Sequence, residues 1–386
     1  MSKKKQNVMP AETADAAEYK PVKRSKGWFG RLIRRFFLLI LTVIVMVVGG
    51  LYLLLDTIFD GPSPAAKKIL TMSLLEPSGT KWVPGLFLDE DEMNEITNVA
   101  EATLPNEVSD TNHVVIKNDG FSDTVDEFAD YPDGVYIESI SGDTYNASVM
   151  LIQDPSRVFM GTCRDPFSTS VPGKRLTDAM EEAGDSVVAA LNAGAFYDDA
   201  TAGKIVGSVP AGLVLANGKV VWNDYHDKVP QKGFVGFTED DILVVSKSMT
   251  TAKAKELKIR DGCEFGPVLV MDGQPSEETY NTSSGWNPRS AIGQRADGTV
   301  ILVAVEGRQV GSPGATFVDL INIMVEYGAV NACNLDGGSS TVMLYRDTYG
   351  RYGQAGQVVM MNNYSLLQTE PRRMPNYWMV RAKSEE

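Results

Sequence analysis

GATFVDLINIMVEYGAVNACNLDGGSSTVMLY, residues 314–345, decides how this chain is read. Its first half predicts a helix over residues 317–327. Thr316 is placed as N-cap with Asp319 three residues on, the spacing of a capping box, and Gly328 is a natural C′ residue. The run AVNACNL that follows reads as a buried strand, in which Cys333 acts as a small hydrophobe. Asp336 then stands at the strand end, followed by Gly337 and Gly338, which allow close approach of a ligand or a positive φ. The amides of Gly337, Gly338 and Ser339 are expected to form an anion-accepting nest.

Working outward, β signals outnumber helical ones. Residues 135–140, 145–152 and 157–161 alternate or are β-branched, as strands do. Asn217-Gly218 and Asp297-Gly298 each separate two apolar runs, the signature of a two-residue hairpin, and Asp272-Gly273 closes another strand. Further helices are expected over residues 64–75, 90–102 and 176–183. The expected fold class is α+β: a single extracellular mixed-sheet domain, residues 109–386, behind one N-terminal transmembrane helix.

That helix is read from residues 36–55, FFLLILTVIVMVVGGLYLLL, which carry no charge. At about 1.5 Å per residue such a run crosses a hydrocarbon core of about 30 Å. It exceeds a typical signal-peptide core, and no A-x-A cleavage site follows, so an uncleaved anchor is expected. Residues 1–35 hold ten Lys/Arg against three acids, which leaves −21 of the net −14 on the rest of the chain. By the positive-inside rule residues 1–35 form a disordered cytoplasmic tail and the C-terminal domain is extracellular at the cell membrane. Residues 56–108, with GPSP, EPSG and an acidic run, read as a stalk with short helices. A surface this acidic repels nucleic acid.

The usual catalytic devices are missing. There is no G-x-S-x-G elbow, P-loop, H-E-x-x-H or C-x-x-C, and only two His are present. Three Cys, at positions 163, 263 and 333, permit one disulfide or none. What stands out is a set of Gly-flanked polar residues at strand ends. They are Asn192 to Phe196 (NAGAF), Asn287 to Gly293 (NPRSAIG), Glu306-Gly307-Arg308, and Asn334 to Thr341 (NLDGGSST).

These blocks, together with EFGPVLVMDG and the 314–345 stretch, occur in an order that resembles the phosphodiester glycosidase family. The strong resemblance covers about 40% of the chain, from about Ser186 to Met343. Ala193, Ser290, Glu306 and Ser339 depart from the family's common Gly, Thr, Asp and Gly. The resemblance implies hydrolysis of a sugar-1-phosphate diester on the glycosidic side, in an envelope or extracellular glycopolymer. A glycoside needs a carboxylate as acid, base or nucleophile, and Asp336 and Glu306 are the candidates. Arg289 and Arg308 would hold the phosphate as planar two-point donors. Asn192, Phe196, Asn334, Gly337, Gly338 and Ser339 are expected to bind substrate. The division of roles between the carboxylates stays open, as does the metal: none is required by this chemistry, although oxygen ligands would suit Ca²⁺. A metal-dependent phosphodiesterase and a non-catalytic polysaccharide-binding protein are the competing classes.

Overall fold

The computed structural model describes residues 27–383 apart from 78, 98–106, 117–126, 198–205, 225–232, 278, 280–283 and 365–369. It divides into two units, residues 1–60 and 61–386. In the first, one helix runs over Gly27–Phe59, so it starts well before the uncharged run and takes in Arg31, Arg34 and Arg35, which had been read as disordered tail. Residues 28–59 are long and apolar enough to cross a membrane, as either a signal sequence or an anchor. The rest of the basic tail lies outside the described residues.

The second unit is built on three main antiparallel sheets. The largest has the strand order Val135–Ser141, Asn146–Ile152, Val300–Val305, Arg289–Arg295, Ala329–Leu335, Val268–Met271, Gln274–Pro275. A second orders Lys219–Asn223, Leu213–Ala216, Ile259–Glu264, Phe234–Thr238, Leu243–Ser246. The third orders Val358–Met360, Met343–Arg346, Val187–Asn192, Asn376–Arg381, Val158–Thr162. The expectation of a mixed sheet is corrected: every ladder among the described residues is antiparallel.

The uninterrupted apolar runs follow from burial on both faces. Along Val300–Val305, residues 300, 302 and 304 enter a core shared by all three sheets, around Trp378, Phe237 and Leu191. Residues 301, 303 and 305 face the other way, onto Leu320, Ile321, Ile323 and Met324 of the helix Phe317–Glu326. That helix carries the expected capping box: Asp319 N–H donates to Thr316 Oγ1 (3.2 Å) and Thr316 N–H to Asp319 Oδ2 (2.8 Å). Gly328 follows it at φ +79°, the left-handed conformation that ends helices. The Asn217-Gly218 hairpin is present, pairing Ala216 with Lys219. Helices Pro64–Leu75 and Leu176–Ala183 form as expected, while Glu90–Thr97 is the described part of the third. All three Cys are buried and free.

Candidate active site

Sheet register gathers the polar strand ends. Arg289 opens its strand and pairs with Val305, the residue before Glu306, while Ser290 pairs with Leu335, the residue before Asp336. Arg289, Glu306 and Asp336 therefore emerge at one end of three adjacent strands. The Arg289 strand lies between the other two, so the backbones leading to Glu306 and Asp336 are two strand spacings apart, roughly 10 Å.

A cavity of about 590 Å³ opens there. Asp336, Arg289, Arg308, Asn334, Gly337, Gly338 and Ser339 line it, joined by Phe265, Phe317, Arg372 and Glu76. Burial raises the Asp336 carboxyl to about 6, against the Ser340 hydroxyl and the Gly337 N–H, which favour its charged form. Its position is fixed through the main chain: Asp336 N–H donates to Ala193 O (3.0 Å), and Asn192 Nδ2 donates to Asp336 O (2.5 Å).

Asn192 is fully buried, with its other end also engaged. Its Oδ1 accepts from Ser290 Oγ (2.8 Å) and from Val342 N–H (3.1 Å). It does not line the cavity; it holds the Asp336 turn. Phe196 does not line it either; the Arg372 guanidinium stands 5.0 Å from its ring centre. Asn334 lines the cavity and donates Nδ2–H to Gly266 O (2.8 Å). The expected three-amide nest is not formed, because Gly338 N–H already donates to Pro288 O (2.8 Å).

Glu306 does not line that cavity. It lines an adjoining crevice of about 10 Å³, which shares Arg308, Gly338 and Ser339 with the main cavity and has room for a water and not for a sugar. Its Oε1 accepts from both N–H and Nδ2 of Asn363, each at 2.8 Å. The expected carboxylate pair is thus divided between two pockets.

The second carboxylate of the main cavity is Glu76, the C-cap of the helix Pro64–Leu75 in the segment expected to be a stalk. Its Oε1 accepts from Arg289 Nη2 at 2.9 Å. Ser73, one turn earlier, accepts Trp286 N–H on its Oγ (2.8 Å) and lies so close to Gly285 that a Cβ there would collide with it. Arg289 is itself buried, donating Nε to Ala315 O (3.2 Å) and Nη2 to Gly285 O (2.9 Å), with its guanidinium 4.3 Å from the Phe317 ring centre. Burial pulls the Arg308 guanidinium below its ordinary value; the Glu76 charge opposes that and the Arg289 charge adds to it. Among the described residues no cluster of three or more His, Cys, Asp or Glu is placed to hold a metal ion.

Residues 185–381 match the model of the phosphodiester glycosidase family. This chain belongs to that family. It is 40% identical over 85 residues to the SPbeta prophage-derived uncharacterized protein YomE of Bacillus subtilis strain 168, an alignment covering 21% of this chain and 13% of that protein. Its fold is similar to the catalytic domain of zebrafish N-acetylglucosamine-1-phosphodiester alpha-N-acetylglucosaminidase, solved auto-inhibited by pro-peptide. That likeness has a TM-score of 0.50 at 18% identity, over 67% of this chain and 86% of that one. A hypothetical protein from Synechocystis aligns over 65% of this chain and 62% of its own, at 18% identity and a TM-score of 0.42. Family membership implies a hydrolase acting on phosphodiester-linked sugars.

The family blocks supplied Asp336, Arg289 and Arg308. Glu76, Phe265, Phe317 and Arg372 were not singled out from the sequence. Phe317 read only as a helix start, and Phe265 sat unremarked inside a matched block. Glu76 has no local signal, since its partner lies 213 residues away.

Proposed function

We propose that this family member hydrolyses the glycosidic bond of a sugar-1-phosphate diester, releasing a free sugar and a phosphomonoester. The observation that carries the reading is the Glu76 carboxylate seated on Arg289 beside Arg308: the cavity holds an oxyanion where a phosphodiester would lie. In the reaction Arg289 and Arg308 bind the phosphate and stabilise the charge that collects on it as the leaving group departs. A phosphate leaves as an anion without needing a proton, so one carboxylate suffices at the anomeric carbon. Asp336, with its pKa raised to about 6, is ionised at neutral pH and supplies the base or nucleophile. Phe265 and Phe317 present apolar faces for the sugar.

Substrate must displace Glu76 from Arg289. The zebrafish domain is described as auto-inhibited by its pro-peptide, and we extend that kind of control to Glu76 here. The helix over residues 27–59 serves, in this reading, as a membrane anchor with the basic N-terminus in the cytoplasm and the domain outside. Envelope or extracellular glycopolymers with sugar-1-phosphate links are then the substrates, and nucleic acid is not a partner. A bound Ca²⁺ has no assigned role in this scheme.

The test is turnover of a nucleoside diphosphate sugar by the full chain in detergent. Free sugar and nucleoside diphosphate are the expected products. Release of sugar-1-phosphate and nucleoside monophosphate would make the protein a phosphodiesterase. Tight glycopolymer binding with no product would make it a binding protein.

A further inference from the structure

Arg308 stands in the left-handed region at φ +58°, a conformation that side chains other than Gly adopt only when their surroundings impose it. Two constraints impose it here. Its N–H donates to Pro313 O (2.9 Å), closing a tight hairpin, and its guanidinium is gripped by one side chain, Asn287. Asn287 Oδ1 accepts from Arg308 Nη2 (3.1 Å) and Nε (3.3 Å). Asn287 is itself locked, exchanging both backbone hydrogen bonds with Ala315 (3.3 and 3.1 Å).

The choice of residue is informative. With Oδ1 committed to two guanidinium donors, the other amide atom must be the NH₂ group. That Nδ2 is buried and has no hydrogen-bond partner among the described residues. An Asp of the same shape would turn two neutral-acceptor bonds into an ion pair, at the cost of a buried carboxylate oxygen in the place of Nδ2. A carboxylate there, however, would neutralise the guanidinium that lines the cavity.

We propose that Asn287 is a positioning residue that aims Arg308 at the substrate phosphate while leaving its charge unquenched. This rests on the phosphodiester reading above and deepens it, adding a determinant of preference for anionic substrates. An unneutralised Arg308 attracts an anion; the same Arg308 paired with a carboxylate would hold its geometry and lose most of that attraction.

The experiment compares full-length wild type with Asn287→Asp in three measurements: melting temperature, binding of inorganic phosphate by titration calorimetry, and KM and kcat on a nucleoside diphosphate sugar. The expected result is a folded variant with phosphate Kd and substrate KM both raised about tenfold. In an Arg308→Gln background Asn287→Ser, which removes the grip without adding a charge, should move neither. Unchanged Kd and KM in Asn287→Asp, or an equal effect without Arg308, overturns the proposal. Should Asn287→Asp not fold, Asn287→Ser keeps an oxygen but withdraws it from reach. A loss of about tenfold in phosphate affinity is then expected, and wild-type affinity would refute the role. Wild type that binds phosphate more tightly than Asn287→Asp, with no sugar released by either, would uphold the positioning role and defeat the glycosidase reading.

Discussion

Replacing Asp336 by Asn should make the protein more stable and inactive at once. The carboxyl is lifted from the usual carboxylate value of 3.8 to about 6 because burial disfavours its charge. The folded state therefore holds a proton that the unfolded state has released between those two values. Stability from this group is complete below about pH 4 and is lost as pH rises through 6. Above pH 6 the native state carries a buried charge costing on the order of 2–3 kcal/mol, at about 1.4 kcal/mol per pKa unit. Asn has nearly the same shape and no charge, so at pH 7 it should raise Tm by roughly 5 °C. The gain should be nearly gone at pH 4, where Asp336 is protonated in the folded state and only partly ionised in the unfolded one. Activity should fall by about 10²–10⁴, the range for a lost general base, or further if Asp336 is the nucleophile. Calorimetric melts at pH 4 and pH 7, with turnover of a nucleoside diphosphate sugar, check both halves. A variant as active as wild type refutes the catalytic role. One destabilised equally at both pH values refutes the electrostatic reasoning.

Three further substitutions divide the remaining roles. Arg289→Lys should lower kcat/KM by about 10–10², because an ammonium cannot make the planar two-point contact and a charged hydrogen bond contributes about 1.5–3 kcal/mol; unchanged kinetics would reduce Arg289 to a structural residue. Glu76→Gln should lower KM about fivefold with kcat unchanged, since it releases a tethered competitor from an ion pair, partly buried, of about 1 kcal/mol. A collapse of kcat would instead make Glu76 a catalytic carboxylate. Glu306→Gln keeps an acceptor for Asn363 and should leave kcat within about threefold, measured on the same substrate; a loss above 10² would return Glu306 to the reacting centre.

How much of this was legible depended on the range of each interaction. Local devices read well: the Thr316–Asp319 capping box, the Asn217-Gly218 hairpin and the strand holding Cys333 all form where short-range rules put them. Strand direction was legible only beside a hairpin turn such as Asp297-Gly298; a run such as Val187–Asn192, covered on both faces, carries no mark of parallel or antiparallel pairing. The site was half visible. Asp336 and Arg289 are strand-end residues in specific blocks, but that Glu306 emerges two strands from Asp336 is fixed by sheet order. Asn192 was expected to bind substrate and Asn287 was only the first residue of a Gly-flanked block; both are buried ties, a role that shows only once their partners are known. Glu76 had only a Pro-Gly-rich neighbourhood, which reads as linker until the fold brings Arg289 to it.

In the proposed reaction the C–O bond of the sugar, and not a P–O bond, is broken. Hydrolysis of a nucleoside diphosphate sugar by the full chain in H₂¹⁸O, with mass analysis of both products, distinguishes the two. The expected result is ¹⁸O at the anomeric hydroxyl of the released sugar and none in the phosphate. Label in the phosphate, with the sugar unlabelled, would contradict it.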